Sequence, residues 1–129
     1  MDNCIFCKII RGEIPSYTIY EDDLVKVFLD INPVTKGHTL IIPKNHYDSL
    51  IDIDSNTLLH IQNIAKELMN KYKEKLGAEG FTLVQNNGLG QEVKHYHLHL
   101  IPRYQEDGLK MEANGNETPV EEIFNLLNN

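Results

Sequence analysis

Apolar residues recur at steps of three and four between Asp54 and Leu76, at Leu58, Ile61, Ala65, Leu68, Tyr72 and Leu76, a period that predicts one long amphipathic helix. Asp54 and Ser55 precede it as N-cap candidates, and Gly77 follows as its stop. The rest of the chain is patterned mainly as strands. Tyr17–Tyr20 and Leu24–Leu29 are β-rich runs joined through Glu21-Asp22-Asp23, a hairpin signature. Asp30–Gly37 is a loop by composition, with Asn-Pro and Lys-Gly in it. Thr39–Ile42 forms a third apolar run ended by Pro43, Phe81–Gln85 a fourth, and His95–Pro102 a fifth in which Tyr96, Leu98 and Leu100 alternate with polar residues. A short helical turn is expected over Cys4–Ile10, closed by Gly12 and Pro15. After Arg103 the chain is polar and turn-rich until Thr118 as N-cap and Pro119 as first helical residue start a terminal helix carrying Ile123, Phe124 and Leu127. Strands, a long helix, strands and a terminal helix predict an α+β fold, its mainly antiparallel sheet covered by the helix.

Length and composition narrow the picture. With 129 residues the chain suits one domain, 1–129, with a core of roughly 4–104 and a tail from 105 onward. No apolar run approaches the ~20 residues of a membrane span, and Met1-Asp2-Asn3-Cys4 lacks the basic and apolar segments of a signal peptide. A cytoplasmic protein with no membrane partner is expected. The formal net charge of −7 argues against nucleic acid as a partner, since that binding depends on neutralising phosphates with Lys and Arg. An anionic substrate would need local donors, imidazoles and backbone N–H groups. Lys66, Lys71, Lys73 and Lys75 read as cations in the late turns of the long helix, and His60 on the same helix is expected to face solvent.

Candidate chemistry concentrates in the fifth run. His95, His97 and His99 occupy alternate positions, which places three imidazoles on one strand face at about 6.5 Å between successive ones. Polar strand faces are usually built from other residues, so the row points to proton transfer, nucleophilic attack or metal binding. Two chemistries fit the spacing: a catalytic metal with an open position, or attack of an imidazole on phosphorus with a neighbour acting as acid and hydrogen-bond donor. The preceding Gly88-Leu89-Gly90-Gln91 favours the second, because glycine lets backbone N–H groups approach an anion.

The string Gln91-Glu92-Val93-Lys94-His95-Tyr96-His97-Leu98-His99-Leu100-Ile101 resembles the signature of the histidine triad family. The likeness continues in Phe28–Pro33, in Gly37–Lys44 and in Cys4–Ile10, in the family's order. It implies a five-stranded antiparallel sheet with one long helix and short terminal helices, a homodimer, and a nucleotide hydrolase or transferase of the Hint-like branch. Such an enzyme cleaves a nucleoside monophosphate, purine by expectation, from an amine or another leaving group through a covalent nucleotidyl-histidine. By the resemblance, His97 is the nucleophile, His99 contacts the α-phosphate and assists the leaving group, and His95 and His38 support the row. By the same resemblance Asp30 receives the ribose hydroxyls, Phe28, Ile31, Phe6 and Ile9 surround the base, Asn86 and Gln91 lie near ribose and phosphate, and Glu92 and Val93 belong to the substrate site. Two departures bear on substrate preference. Glu92 stands where the family often has a Ser or Thr donor, and the loop between Asn86 and Gln91 is about two residues shorter than in many relatives.

Cys4 and Cys7, the only cysteines, have the spacing of half a tetrahedral zinc site. A disulfide does not suit a reducing cytoplasm, and the βαβ context of a redox pair is absent. The resemblance implies that His46 and His95 complete a structural zinc site with Cys4 and Cys7, with no organic cofactor. Two rivals stand beside the hydrolase: a metallohydrolase with catalytic zinc on the histidine row, and a non-catalytic nucleotide-binding regulator.

Overall fold

The computed structural model describes residues 3–128. Its elements, in chain order, are α1 (Ile5–Ile10), β1 (Thr18–Glu21), β2 (Val25–Leu29), β3 (Thr39–Pro43), α2 (Ser55–Leu76), β4 (Gly80–Val84), β5 (Leu98–Arg103) and α3 (Val120–Leu127). The five strands form one sheet, ordered β1-β2-β3-β5-β4, with every neighbouring pair antiparallel. The fold is α+β, as the order of elements predicts.

Alternation along the strands divides the core in two. Val25 and Val27 of β2, Ile41 of β3 and Leu98 and Leu100 of β5 pack with Ile61, Ile64, Ala65, Leu68 and Tyr72 of α2. Phe28, Leu40 and Ile42 point the other way and pack with Phe6 and Ile9 of α1. Helix α2 is capped at both ends: the Asp54 carboxylate accepts from the Thr57 amide at 3.1 Å, and Gly77 takes the left-handed conformation at φ 70°.

Three expectations need correction. Strand β5 begins at Leu98 rather than His95, because the β3–β5 register would set Tyr96 opposite Pro43, which has no N–H to continue the ladder. The Tyr96 amide instead donates to the Tyr47 carbonyl at 2.7 Å. Helix α3 starts one residue late, with Pro119 at the N-cap and no side-chain capping bond, while Asn116 accepts from the Thr118 amide. His60 is half-buried and its Nε2 lies 2.7 Å from Asp22 Oδ2, tying α2 to the β1–β2 turn.

Candidate functional site

The loop after β2 is folded back onto the end of the sheet by its own backbone. The Asp30 amide donates to the His38 carbonyl at 3.0 Å and the His38 amide to the Thr35 carbonyl at 3.2 Å. Thr35 Oγ1 donates to the Pro102 carbonyl of β5 at 2.7 Å. Gly37 makes this fit possible: its φ is 90°, and a Cβ there would stand 2.7 Å from the Leu76 side chain. Asp30 and His38 are thereby carried beside β5, where His38 Nε2 lies 2.9 Å from His99 Nδ1 and 3.6 Å from Asp30 Oδ2.

Backbone contacts fix which imidazole nitrogens carry protons, because a carbonyl only accepts and an amide only donates. His97 Nδ1 is 2.7 Å from the His95 carbonyl, so it donates, and the lone pair of the neutral ring is on Nε2. His38 Nδ1 accepts from the Val34 amide at 3.2 Å, so its proton is on Nε2 and is donated to His99 Nδ1. His99 in turn carries its proton on Nε2. Burial keeps the His38 and His99 rings neutral near pH 7. It lowers His38 from its ordinary value against the pull of Asp30, and together with the nearby His97 and His38 it pushes His99 down to about 4.

Two adjoining recesses, of about 320 and 300 Å³, share Asp30, Asn32, Glu92, His97 and His99. The first is polar and adds His38, Asn86 and Gly90. The second is apolar and adds Phe6, Ile9, Phe28, Ile31 and Val93. Phe6 is both wall and brace, its ring packing edgewise at 5.0 Å from His97 and 5.9 Å from Phe28. Ile31 borders the apolar recess while 76% exposed, a position at the rim. Gln91 is the predicted residue that the fold turns away from both: its Nε2 donates to the Asp48 carbonyl at 2.5 Å and its Oε1 accepts from the Gly88 amide. Gly90 belongs to the glycine loop expected to approach an anion, whereas Asn32 and the Val34 amide were not anticipated from the sequence, the latter because a backbone group leaves no residue-type signal.

His95 departs from the row to face α1. Its Nε2 donates to the Pro43 carbonyl at 2.8 Å, which directs the Nδ1 lone pair at Cys4 Sγ (3.4 Å), Cys7 Sγ (3.6 Å) and His46 Nδ1 (3.2 Å). His46 is oriented likewise, with Nε2 at 2.8 Å from Asp48 Oδ1 and Nδ1 at 3.3 Å from Cys7 Sγ. A tetrahedron at usual zinc distances has edges of about 3.3–3.8 Å between nitrogen and sulfur ligands, so this donor set fits the ion. Burial, then the neighbouring Cys4, push the Cys7 thiol up to about 11, a cost that a cation at the centre would reverse. Asp30, His38 and His99 also lie within ligand distance of one another. There, however, the His38 nitrogen facing the cluster carries its proton and the other is held by Val34, the wiring of a hydrogen-bond chain rather than of a metal site. That wiring counts against catalytic metal on the histidine row.

The family model described as the HIT domain matches residues 11–106. An uncharacterised HIT-like protein of Methanocaldococcus jannaschii is 50% identical over 107 residues, covering 81% of this chain and 82% of that protein. The adenosine 5′-monophosphoramidase of Saccharomyces cerevisiae is 42% identical over 126 residues, covering 95% of this chain and 77% of the enzyme. Among solved structures, a zinc-bound histidine triad family protein from Mycobacterium smegmatis aligns with a TM-score of 0.80 at 36% identity, over 89% of this chain and 85% of that one.

Proposed function

Since the chain belongs to the HIT domain family, we propose that it is a nucleotide hydrolase or transferase releasing a nucleoside monophosphate, purine by preference, from an amine or related leaving group through His97. The observation that carries this reading is the His97 Nδ1–H bond to the His95 carbonyl, which presents an unprotonated Nε2 beside the cleft. Phe6 against the same ring restricts its rotation. The nucleoside lies in the apolar recess, with the ribose hydroxyls on Asp30, whose Oδ1 is already oriented by the Asn32 amide at 2.8 Å.

In the first step His97 Nε2 bonds to phosphorus and the bond to the leaving nitrogen breaks. The amine keeps the electron pair and takes up a proton from solvent. His99 Nε2–H donates to a phosphate oxygen as charge develops there. Water then adds to phosphorus, the Nε2–phosphorus bond breaks, and the nucleotide leaves with release of one proton. The activity of the yeast relative supports this substrate class.

A structural zinc held by Cys4, Cys7, His46 and His95 belongs to the same proposal. It is supported by the ligand spacing and by the zinc-bound relative, and would lock α1 to the residue whose carbonyl holds the nucleophile. A homodimer is supported by β4 as an open sheet edge and by Ile123, Phe124 and Leu127 of α3, uncovered in a single chain. A cytoplasmic setting completes the reading. The direct test is turnover of an adenosine phosphoramidate by the parent and by His97→Ala. A loss of at least about a thousandfold is expected for removal of a nucleophile, and turnover that survives the substitution contradicts the assignment.

A further inference from the structure

A cleft suited to a phosphate would ordinarily be expected to offer cations, yet among the described residues no lysine or arginine lines either recess. Two carboxylates do, Asp30 and Glu92. Lys94 borders a separate recess beside His46, which Glu92 also reaches. The two carboxylates differ in their commitments. Asp30 is engaged, with Oδ1 on the Asn32 amide and Oδ2 facing His38. Glu92 is exposed, and no hydrogen bond or ion pair among the described residues occupies its carboxylate. It stands where the recesses meet, in the group that includes His97 and His99.

Charge then discriminates among leaving groups. Each phosphate beyond the reacting one would bring further negative charge to a cleft that already holds two carboxylates, and the net charge of −7 adds to the repulsion. A leaving group with a protonated amine meets the opposite field, with Glu92 available as its partner. Building on the nucleotidyl-transfer reading, we infer that Glu92 selects the leaving group by charge, favouring nucleotidyl amidates whose leaving group carries a cationic amine and disfavouring di- and polyphosphate leaving groups. Glu92, at the junction of the two recesses, supplies an anion to the group that departs.

The test uses three adenosine 5′-phosphoryl compounds: an amidate whose leaving group carries a second, protonated amine, an amidate of an uncharged alkylamine of equal length, and a diadenosine polyphosphate. kcat/KM is expressed relative to the uncharged amidate, for the parent and for Glu92→Gln. The cationic-to-neutral ratio is expected to exceed one in the parent and to fall about threefold to fivefold in Glu92→Gln, while the polyphosphate-to-neutral ratio rises by a similar factor. Glu92→Asp should keep most of the parental preference, and about 0.5 M salt should compress it. Ratios unchanged in Glu92→Gln overturn the inference. Failure of the parent to turn over even the uncharged amidate would instead overturn nucleotidyl transfer. In that event the Kd ratios of the three compounds are measured by calorimetry, with the same shifts expected and the same absence of shift decisive.

Discussion

Three alternating histidines become three different chemical groups because of the atoms on their far sides. The His95 ring is turned by the Pro43 carbonyl, His97 is oriented by the His95 carbonyl, and His99 receives the proton of His38. The alternation was legible in the sequence, whereas Asp30, Phe6, Phe28 and His38 were named only through the resemblance, and the fold brings all four to the cleft. The protonation pattern was not, since it is set by main-chain atoms of Pro43, His95 and Val34 that no residue type announces. Gln91 shows the converse limit, a polar side chain near the right motif whose amide is consumed by Asp48 and Gly88. At this scale His38→Asn should lower kcat about tenfold to a hundredfold with a smaller change in KM, because it removes the group that orients the His99 proton. Stability should respond to the same burial. His38 and His99 sit below their ordinary values when folded, so between about pH 6.5 and His99's value of about 4 the unfolded chain binds more protons than the folded one. Stability is therefore full above that window and declines as pH falls through it. Thermal midpoints should drop accordingly, less steeply in His99→Asn; a flat profile would contradict the burial argument.

At the scale of elements, α2 was the plainest feature of the sequence, because its apolar period, N-cap and glycine stop all agreed. Ile61, fully buried in its second turn, should cost about 3 kcal/mol when cut to Ala, read as a lower urea midpoint at unchanged slope. Strand β5 was less plain at its start, since alternation continues through His95 and Tyr96 while pairing stops opposite Pro43. The side-chain pattern reports which face a residue takes, and only the partner strand decides where the ladder ends. His60 was misplaced for a related reason: its partner, Asp22, lies in a distant turn. Helix α1 matters to the site through two links, Phe6 on the His97 ring and the cysteine pair around His95. Removing metal with a chelator should lower the thermal midpoint by several degrees and slow turnover without abolishing it. Loss of all chemistry in a chain that stays folded by circular dichroism would instead support catalytic metal.

For the whole molecule, fold class and strand number followed from the pattern of runs. The strand order, which sets β5 between β3 and β4, depends on long-range pairing that no single run announces, and it was not predicted. That order brings the two ends of the site together, Asp30 and His38 from the β2–β3 loop and His97 and His99 from the β5 segment. Oligomeric state is testable separately: sedimentation equilibrium should return twice the 14.8 kDa chain mass, and a single-chain mass would remove the dimer from the account. The central claim is the covalent role of one nitrogen, and its most direct test is intact-mass analysis of protein acid-free quenched during turnover of an adenosine phosphoramidate, followed by peptide mapping. One added nucleotidyl group is expected, located on His97 and absent from His97→Ala. Steady turnover with no adduct in the parent, or an adduct on another residue, would contradict it.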